Sequence, residues 1–193
     1  CNELKSSPAA GIVGGMSHKI AYGYSSSILG GESNTIGAFY YEADDVDQES
    51  PVTRDGTYSV IGGGYMNRIS GHYHTIAGGN ANTILEDVKN KRSVDSSSGV
   101  IGGGDSNTAQ GTGGTVVGGS YNDANGQKFP TVVGGFINTA RASYATVIGG
   151  SRNKGFSNFA TVVGGYMNKV SVAAILEYVN RKSIVMSCWR YSQ

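Results

Sequence analysis

The apolar residues of this chain fall into adjacent pairs, and most pairs are followed directly by two glycines. "ATVIGGSRN" (145–153) is flanked by "TVVGGFIN" (131–138) and "TVVGGYMN" (161–168). The shared core, G-G-x-x-N, begins at Gly14, Gly30, Gly63, Gly78, Gly103, Gly118, Gly134, Gly149 and Gly164. Its fifth position is Asn34, Asn67, Asn82, Asn107, Asn122, Asn138, Asn153 and Asn168, with His18 in the first copy. Successive first glycines lie 16, 33, 15, 25, 15, 16, 15 and 15 residues apart, so the basic period is 15 or 16. A fixed period of this kind marks a solenoid, and it is too short for a helical hairpin repeat or a propeller blade.

A unit of that length suits one coil with two short strands and two turns. The first strand reads as Ser or Thr and two apolar residues: "SIL" at 27, "SVI" at 59, "TIA" at 75, "TVV" at 115, 131 and 161, and "TVI" at 146. β-branched residues dominate, as strands prefer, and the glycine pair turns the chain. A lone apolar residue stands two positions after the Asn: Ile36, Ile69, Ile84, Ala109, Ala124, Ala140 and Val170, with Gly155 breaking the column. Neighbouring side chains on a strand point to opposite faces. One member of each apolar pair therefore enters the coil, and the other points outward, coil after coil, along one side. Such a stripe is a large exposed patch unless another surface covers it. The simplest cover is the same stripe of another copy, which predicts a parallel homo-oligomer of cyclic symmetry. A covering domain elsewhere in a longer protein is the lesser alternative.

The period is interrupted at about 37–57 and 85–98, each time after an Asn and before the next apolar pair. Both excursions are expected to leave from the same edge of the solenoid. After Asn168 the pattern stops, and "VAAILEYVNRKSIVMSCWRY" (172–191) holds the only Trp. A solenoid needs its last coil covered, so this segment reads as a cap. It is either a hairpin turning at Asn180-Arg181-Lys182, or a helix followed by a strand. The expected organisation is a lead-in over 1–10, a nine-coil β-roll over 11–170 and a C-terminal capping segment over 171–193.

"YATVIGGSRNKGFSNFATVVGGYMN" (144–168) resembles the head repeats of trimeric autotransporter adhesins. It is also similar to repeats in some phage and large-virus fibre proteins. The resemblance covers most of 11–170. It implies an all-β fold: a single-stranded parallel β-solenoid, wound as a left-handed β-roll and assembled as a homotrimer. Handedness and trimer number rest on the resemblance alone. This chain departs from the adhesin pattern S-x-A-I-G, with its single glycine and small outward alanine. Here the words are T-V-V-G-G, so packing at the trimer axis is expected to differ. No long heptad stalk and no outer-membrane barrel segment is visible.

Composition narrows the function classes. The chain has 193 residues and 31 glycines without an every-third-residue spacing, which excludes collagen. Fifteen basic against 14 acidic residues give no overall electrostatic footprint for nucleic acid or an anionic membrane, though a local patch is compatible with that balance. No apolar run reaches membrane-spanning length. The chain opens on Cys1 rather than Met, as a processed product or a fragment would, and "CNELKSS" is compatible with the mature start of a lipoprotein. Nine stacked coils span roughly 40 Å. Cys1 and Cys188 then lie too far apart for a disulfide, and Cys188 reads as a buried thiol.

Candidate chemistry is sparse. "VIGGGYMN" (60–67) and "VIGGGDSN" (100–107) have the glycines of a phosphate loop but neither the Lys-Ser/Thr nor a following helical pattern. No cofactor is expected. The first excursion carries Phe39, Tyr40 and Tyr41, then Glu42, Asp44, Asp45, Asp47 and Glu49. Asp44, Asp45 and Asp47 are candidate Ca²⁺ ligands, but the spacing is not that of an EF-hand, and a solvated acidic loop is the plainer reading. His72 and His74 are candidate metal ligands if a symmetric neighbour adds more. Surface imidazoles in a turn are the plainer reading there. Excursions from a rigid scaffold concentrate function, so Phe39, Tyr40 and Tyr41, with Lys89, Lys91 and Arg92 in the second excursion, are the binding-loop candidates. The Thr column (Thr75, Thr115, Thr131, Thr146, Thr161) raises lattice binding, although β propensity also explains it. The Asn column reads as structural, its amides bonding their own turn and the coils above or below.

The expectation is a structural and attachment protein that is not an enzyme: a rigid trimeric fibre, spike or surface adhesin head. Its expected partners are itself and a cell-surface glycan or protein receptor, with no nucleic acid and no membrane insertion. Its expected place is extracellular, on a cell surface or virion. An ice- or lattice-binding solenoid is the first rival. An enzyme acting on polysaccharide through paired acids in a groove is the second.

Overall fold

A computed structural model describes residues 1–37, 58–85 and 98–171, together with the backbone of Ile184–Val185. Among these residues every regular element is a strand, and there is no helix. The chain alternates between two ten-stranded sheets. The first contains Glu3–Lys5, Lys19–Ala21 and so on to Lys169–Val170; the second runs from Gly11–Ile12 to Ile184–Val185. Within each sheet the strands follow chain order, and every pairing is parallel. That is a β-solenoid in which each coil lays one strand on each sheet. Thr115, Thr131, Thr146 and Thr161 are in register, so one coil spans 15 or 16 residues.

A third ladder joins the coils. Single parallel bridges link Met16, Glu32, Tyr65, Asn80, Asp105, Ser120, Phe136, Ser151 and Tyr166, the residues just after each glycine pair. The expected two-sided coil is therefore three-sided. The third side escapes sequence reading because its outward residues share no chemical type.

The corners between these sides use left-handed backbone. One is the second glycine of each pair, as at Gly150, φ +80°. A Cβ there would lie 2.2 Å from the Gly165 carbonyl oxygen of the next coil, so nothing but glycine fits. The other two corners hold L residues. One precedes the Asn column, including Ile137 at φ 56°. The other lies two residues before the second-sheet strand, including Tyr73 (59°), Tyr144 (59°) and Phe159 (60°). Each such residue costs about 1–2 kcal/mol, and the ladders above and below hold it in place.

The core is the space between the sheets. Second-sheet side chains such as Ile28, Ile76 and Val147 are fully buried against Ile36, Ile84 and Ala140 of the first. Its make-up changes along the axis. The first half pairs Ile with Ile; the second pairs Val116, Val132 and Val147 with Ala109, Ala124, Ala140 and Gly155. In the thinner half Ala145 and Ala160 also point inward, at the corner where earlier coils place Ser59 and His74.

Two expectations are corrected. In the third and fifth copies the strand starts one residue later than "SVI" suggests. Val60 and Val100, not Ser59 and Gly99, stand in register with Thr75 and Thr115. The first glycine of each G-G-G run, Gly62 or Gly102, takes the outward place that Ala77 and Val117 fill in the neighbouring coils. The outward column is therefore Val13, Leu29, Gly62, Ala77, Gly102, Val117, Val133, Ile148 and Val163. Its large apolar residues form two groups rather than one unbroken stripe. The ladder also reaches past both ends of 11–170. Glu3–Lys5 pairs with Lys19–Ala21, and Ile184–Val185 extends the second sheet beside Thr161–Val162. The rest of the expected cap, with Asn180-Arg181-Lys182 and Cys188, lies outside the described residues.

Candidate interaction faces

The Asn column is an internal stitch. From Asn34 to Asn153, each Asn amide donates to the first-glycine carbonyl of its own coil and to the second-glycine carbonyl of the next. Asn153 Nδ2, for example, lies 2.8 Å from Gly149 O and 2.9 Å from Gly165 O. Its Oδ1 accepts the Asn168 backbone N–H at 3.0 Å. Such bonds partner backbone groups inside the coil; the second-glycine carbonyl shares its acceptor with a backbone N–H, as Gly165 O does with Ser151 N at 2.9 Å. His18 takes the same place, its Nδ1 accepting the Asn34 N–H at 3.2 Å. Asn2 is the first rung, accepting the His18 N–H at 3.1 Å and donating to Gly15 O at 3.2 Å. Asn2 was legible only as an Asn sixteen residues before His18; no glycine pair announces it.

A second, shorter stitch runs up the opposite corner. Ser26 Oγ accepts the Ser59 N–H (3.1 Å), Ser59 Oγ accepts the His74 N–H (3.2 Å), and His74 Nδ1 accepts the Gly99 N–H (2.9 Å). His74 is thus fully buried and structural rather than a surface imidazole. Left-handed Tyr73 lies between the two histidines, and His72 remains half-buried. Burial, then the nearby charge of His72, lowers the His74 pKa to about 4. Its Nδ1 is committed to the Gly99 N–H, and Nε2 is buried without a partner. Among the described residues no group of three or more His, Cys, Asp or Glu side chains could hold a metal. Asp44, Asp45 and Asp47 lie outside those residues, as do Phe39, Tyr40, Tyr41, Lys89, Lys91 and Arg92. What is described are the stems. The excursions leave after Gly37 and Leu85 at the end of first-sheet strands, and re-enter at Tyr58 and Ser98 just before second-sheet strands.

Three outer surfaces remain. The outer face of the second sheet carries Thr115, Thr131, Thr146 and Thr161 in register, with Val117, Val133, Ile148 and Val163 two residues on. These apolar side chains are 40–54% exposed. Beside them stands the first glycine of each pair. At Gly30, Gly78, Gly118, Gly149 and Gly164 a Cβ would meet nothing within 4 Å. None of these five has a left-handed φ.

The aromatic corner is the second surface. Tyr58 stacks on Tyr73 (5.2 Å, 7°) and Tyr144 on Phe159 (5.0 Å, 3°), with Phe129 against Tyr144 at 5.7 Å. All five are exposed. The outer face of the first sheet is the third, and in its later coils it is cationic: Lys154 stands in register with Lys169. Asp123 lies beneath; burial raises its pKa while the charge of Arg141 opposes the rise.

No family model matches the chain, and no curated protein matches it at a significant level.

Proposed function

We propose that the chain is a structural and attachment element: a rigid rod, left-handed and trimeric by its likeness to adhesin and fibre repeats, associating through the outer face of the second sheet. The observation that carries this reading is the column of first glycines. The second glycine is demanded by the fold of one chain; the first is not. Glycine in an extended segment costs about 0.5–1 kcal/mol relative to alanine, and at Gly30, Gly78, Gly118, Gly149 and Gly164 nothing inside the chain requires it. A recurrent glycine without an internal reason, beside exposed Val117, Val133, Ile148 and Val163, fits close approach by another backbone. A second copy has the same coil spacing and so meets every rung at once. Multivalent attachment follows, since an oligomeric rod presents several copies of each contact. The direct test is the mass of the full chain in solution, which should be a multiple of 20.0 kDa.

One observation favours a second reading. The in-register Thr115, Thr131, Thr146 and Thr161 make a flat, regular hydroxyl-and-methyl face, as binding to a crystal lattice would require. The two readings compete for the same face. A monomer that shows thermal hysteresis in freezing assays would decide for the lattice.

A further inference from the structure

Charge is distributed unevenly along the rod. From residue 124 to residue 176 the sequence has no Asp or Glu, yet it holds Lys128, Arg141, Arg152, Lys154 and Lys169. Lys128, Arg141 and Lys154 are 13 residues apart, against a coil of 15 or 16. Each is therefore one coil up and about two or three residues back from the last, a diagonal row with Cα steps of roughly 8 Å. Lys169 continues it one coil above Lys154, in direct register. All four are exposed. Like charges facing each other across a strand pair are destabilising; Arg141 has the part-buried Asp123 near it, and among the described residues no ion pair engages Lys128, Lys154 or Lys169. The ion pair found among the described residues, Lys19 with Glu3 at 3.6 Å, is at the other end of the rod.

Two features position the charges. Lys169 Nζ lies 5.4 Å from the Phe156 ring centroid, over the sheet. Arg152, on the adjoining corner, donates to the Tyr166 hydroxyl at 3.1 Å. Thr139, Ser143 and Asn158 flank the row with hydroxyl and amide groups. Of the neighbouring rings, Tyr144 and Phe159 are stacked face to face, and Phe129 leans on Tyr144 at 31°. Their inner faces are not free for nucleic-acid bases to stack on.

We propose that Lys128, Arg141, Lys154 and Lys169 form a binding row for a linear anionic polysaccharide, carboxylated or sulfated. The cations meet the acidic groups, and the flanking polar side chains meet sugar hydroxyls. Polyanion binding gives the attachment reading its ligand class and rests on it, but the two fail separately. A wrong oligomeric mass sinks the rod, whereas the row is tested by charge.

The experiment uses the full chain and measures binding to immobilised dextran sulfate, alginate, uncharged dextran and oligothymidylate over a salt series. Binding to both polyanionic sugars, absent on dextran, is expected. Lys154→Gln/Lys169→Gln should weaken it by about fivefold or more and flatten the salt dependence by roughly one unit of log–log slope per cation lost. Lys128→Gln/Arg141→Gln should act alike, while Lys5→Gln/Lys19→Gln stays within about twofold of the parent. Unchanged solution mass and melting temperature in each variant keep folding out of the comparison. The proposal is overturned by failure to bind either polyanionic sugar, by equal loss in the Lys5/Lys19 variant, or by tighter binding to oligothymidylate than to the sugars.

Discussion

Asn122 and Asn138, one coil apart, are joined side chain to backbone: Asn122 Oδ1 accepts the Asn138 N–H at 3.0 Å. Asn138 passes the bond on, accepting the Asn153 N–H at 2.9 Å while its amide serves Gly134 O and Gly150 O. One side chain thus bonds three backbone groups in two successive coils.

Removing that side chain should therefore cost far more than its size suggests. Asn138→Ala leaves the Asn153 N–H and the Gly134 carbonyl wanting partners, while Gly150 O keeps the Phe136 N–H; at about 1–3 kcal/mol each, a loss of about 2–4 kcal/mol in urea unfolding is expected. Asn138→Asp should be at least as harmful near neutral pH. It keeps an acceptor for Asn153 but turns a carboxylate oxygen toward two carbonyls.

The two glycines of a pair should respond in opposite ways. Gly150→Ala drives a Cβ to 2.2 Å from Gly165 O at φ +80° and should destabilise the chain by about 3 kcal/mol or more. Gly149→Ala meets nothing within 4 Å. Within one chain it should be neutral or stabilising, by up to about 1 kcal/mol. Any effect it has on solution mass then reports on contact between chains.

Gly155→Ala should stabilise. Its Cβ would sit 3.4 Å from Ala145 Cβ and 3.7 Å from Val147 Cγ2, ordinary van der Waals distances inside the core. Burying one methyl and restricting the unfolded chain together predict a gain of about 1 kcal/mol in thermal or urea unfolding.

Acid should weaken the fold through His74. Its folded pKa is lowered from 6.5 to about 4, so the unfolded chain takes up the proton first. The stability of the neutral ring is fully present above pH 6.5 and declines as pH falls from there toward 4, by up to about 3 kcal/mol. His74→Ser, which repeats the Ser59 rung below it, should remove that part of the acid dependence in urea melts at graded pH.

The repeat made the solenoid legible, because period, in–out alternation and buried Asn are all local consequences of sequence. Val60 and Val100 were misplaced by one residue, since a run of three glycines does not say which two make the corner. The third ladder was hidden because its outward residues, from Glu32 to Phe136, have nothing in common but position. His74 was read as a surface imidazole because nothing in "HYH" marks the left-handed backbone at Tyr73 that precedes its turn into the core. The cationic row was invisible to net charge, and only the coil length shows that residues 13 apart lie on one diagonal.

Sedimentation equilibrium of the full chain tests the central claim most directly, since exposed Val117, Val133, Ile148 and Val163 and the unexplained glycines all call for a partner of the same repeat. A mass three times 20.0 kDa, falling when Gly149 and Gly164 are replaced by a bulky residue in a chain that still unfolds cooperatively, is the predicted result. A stable monomer at every concentration would contradict it.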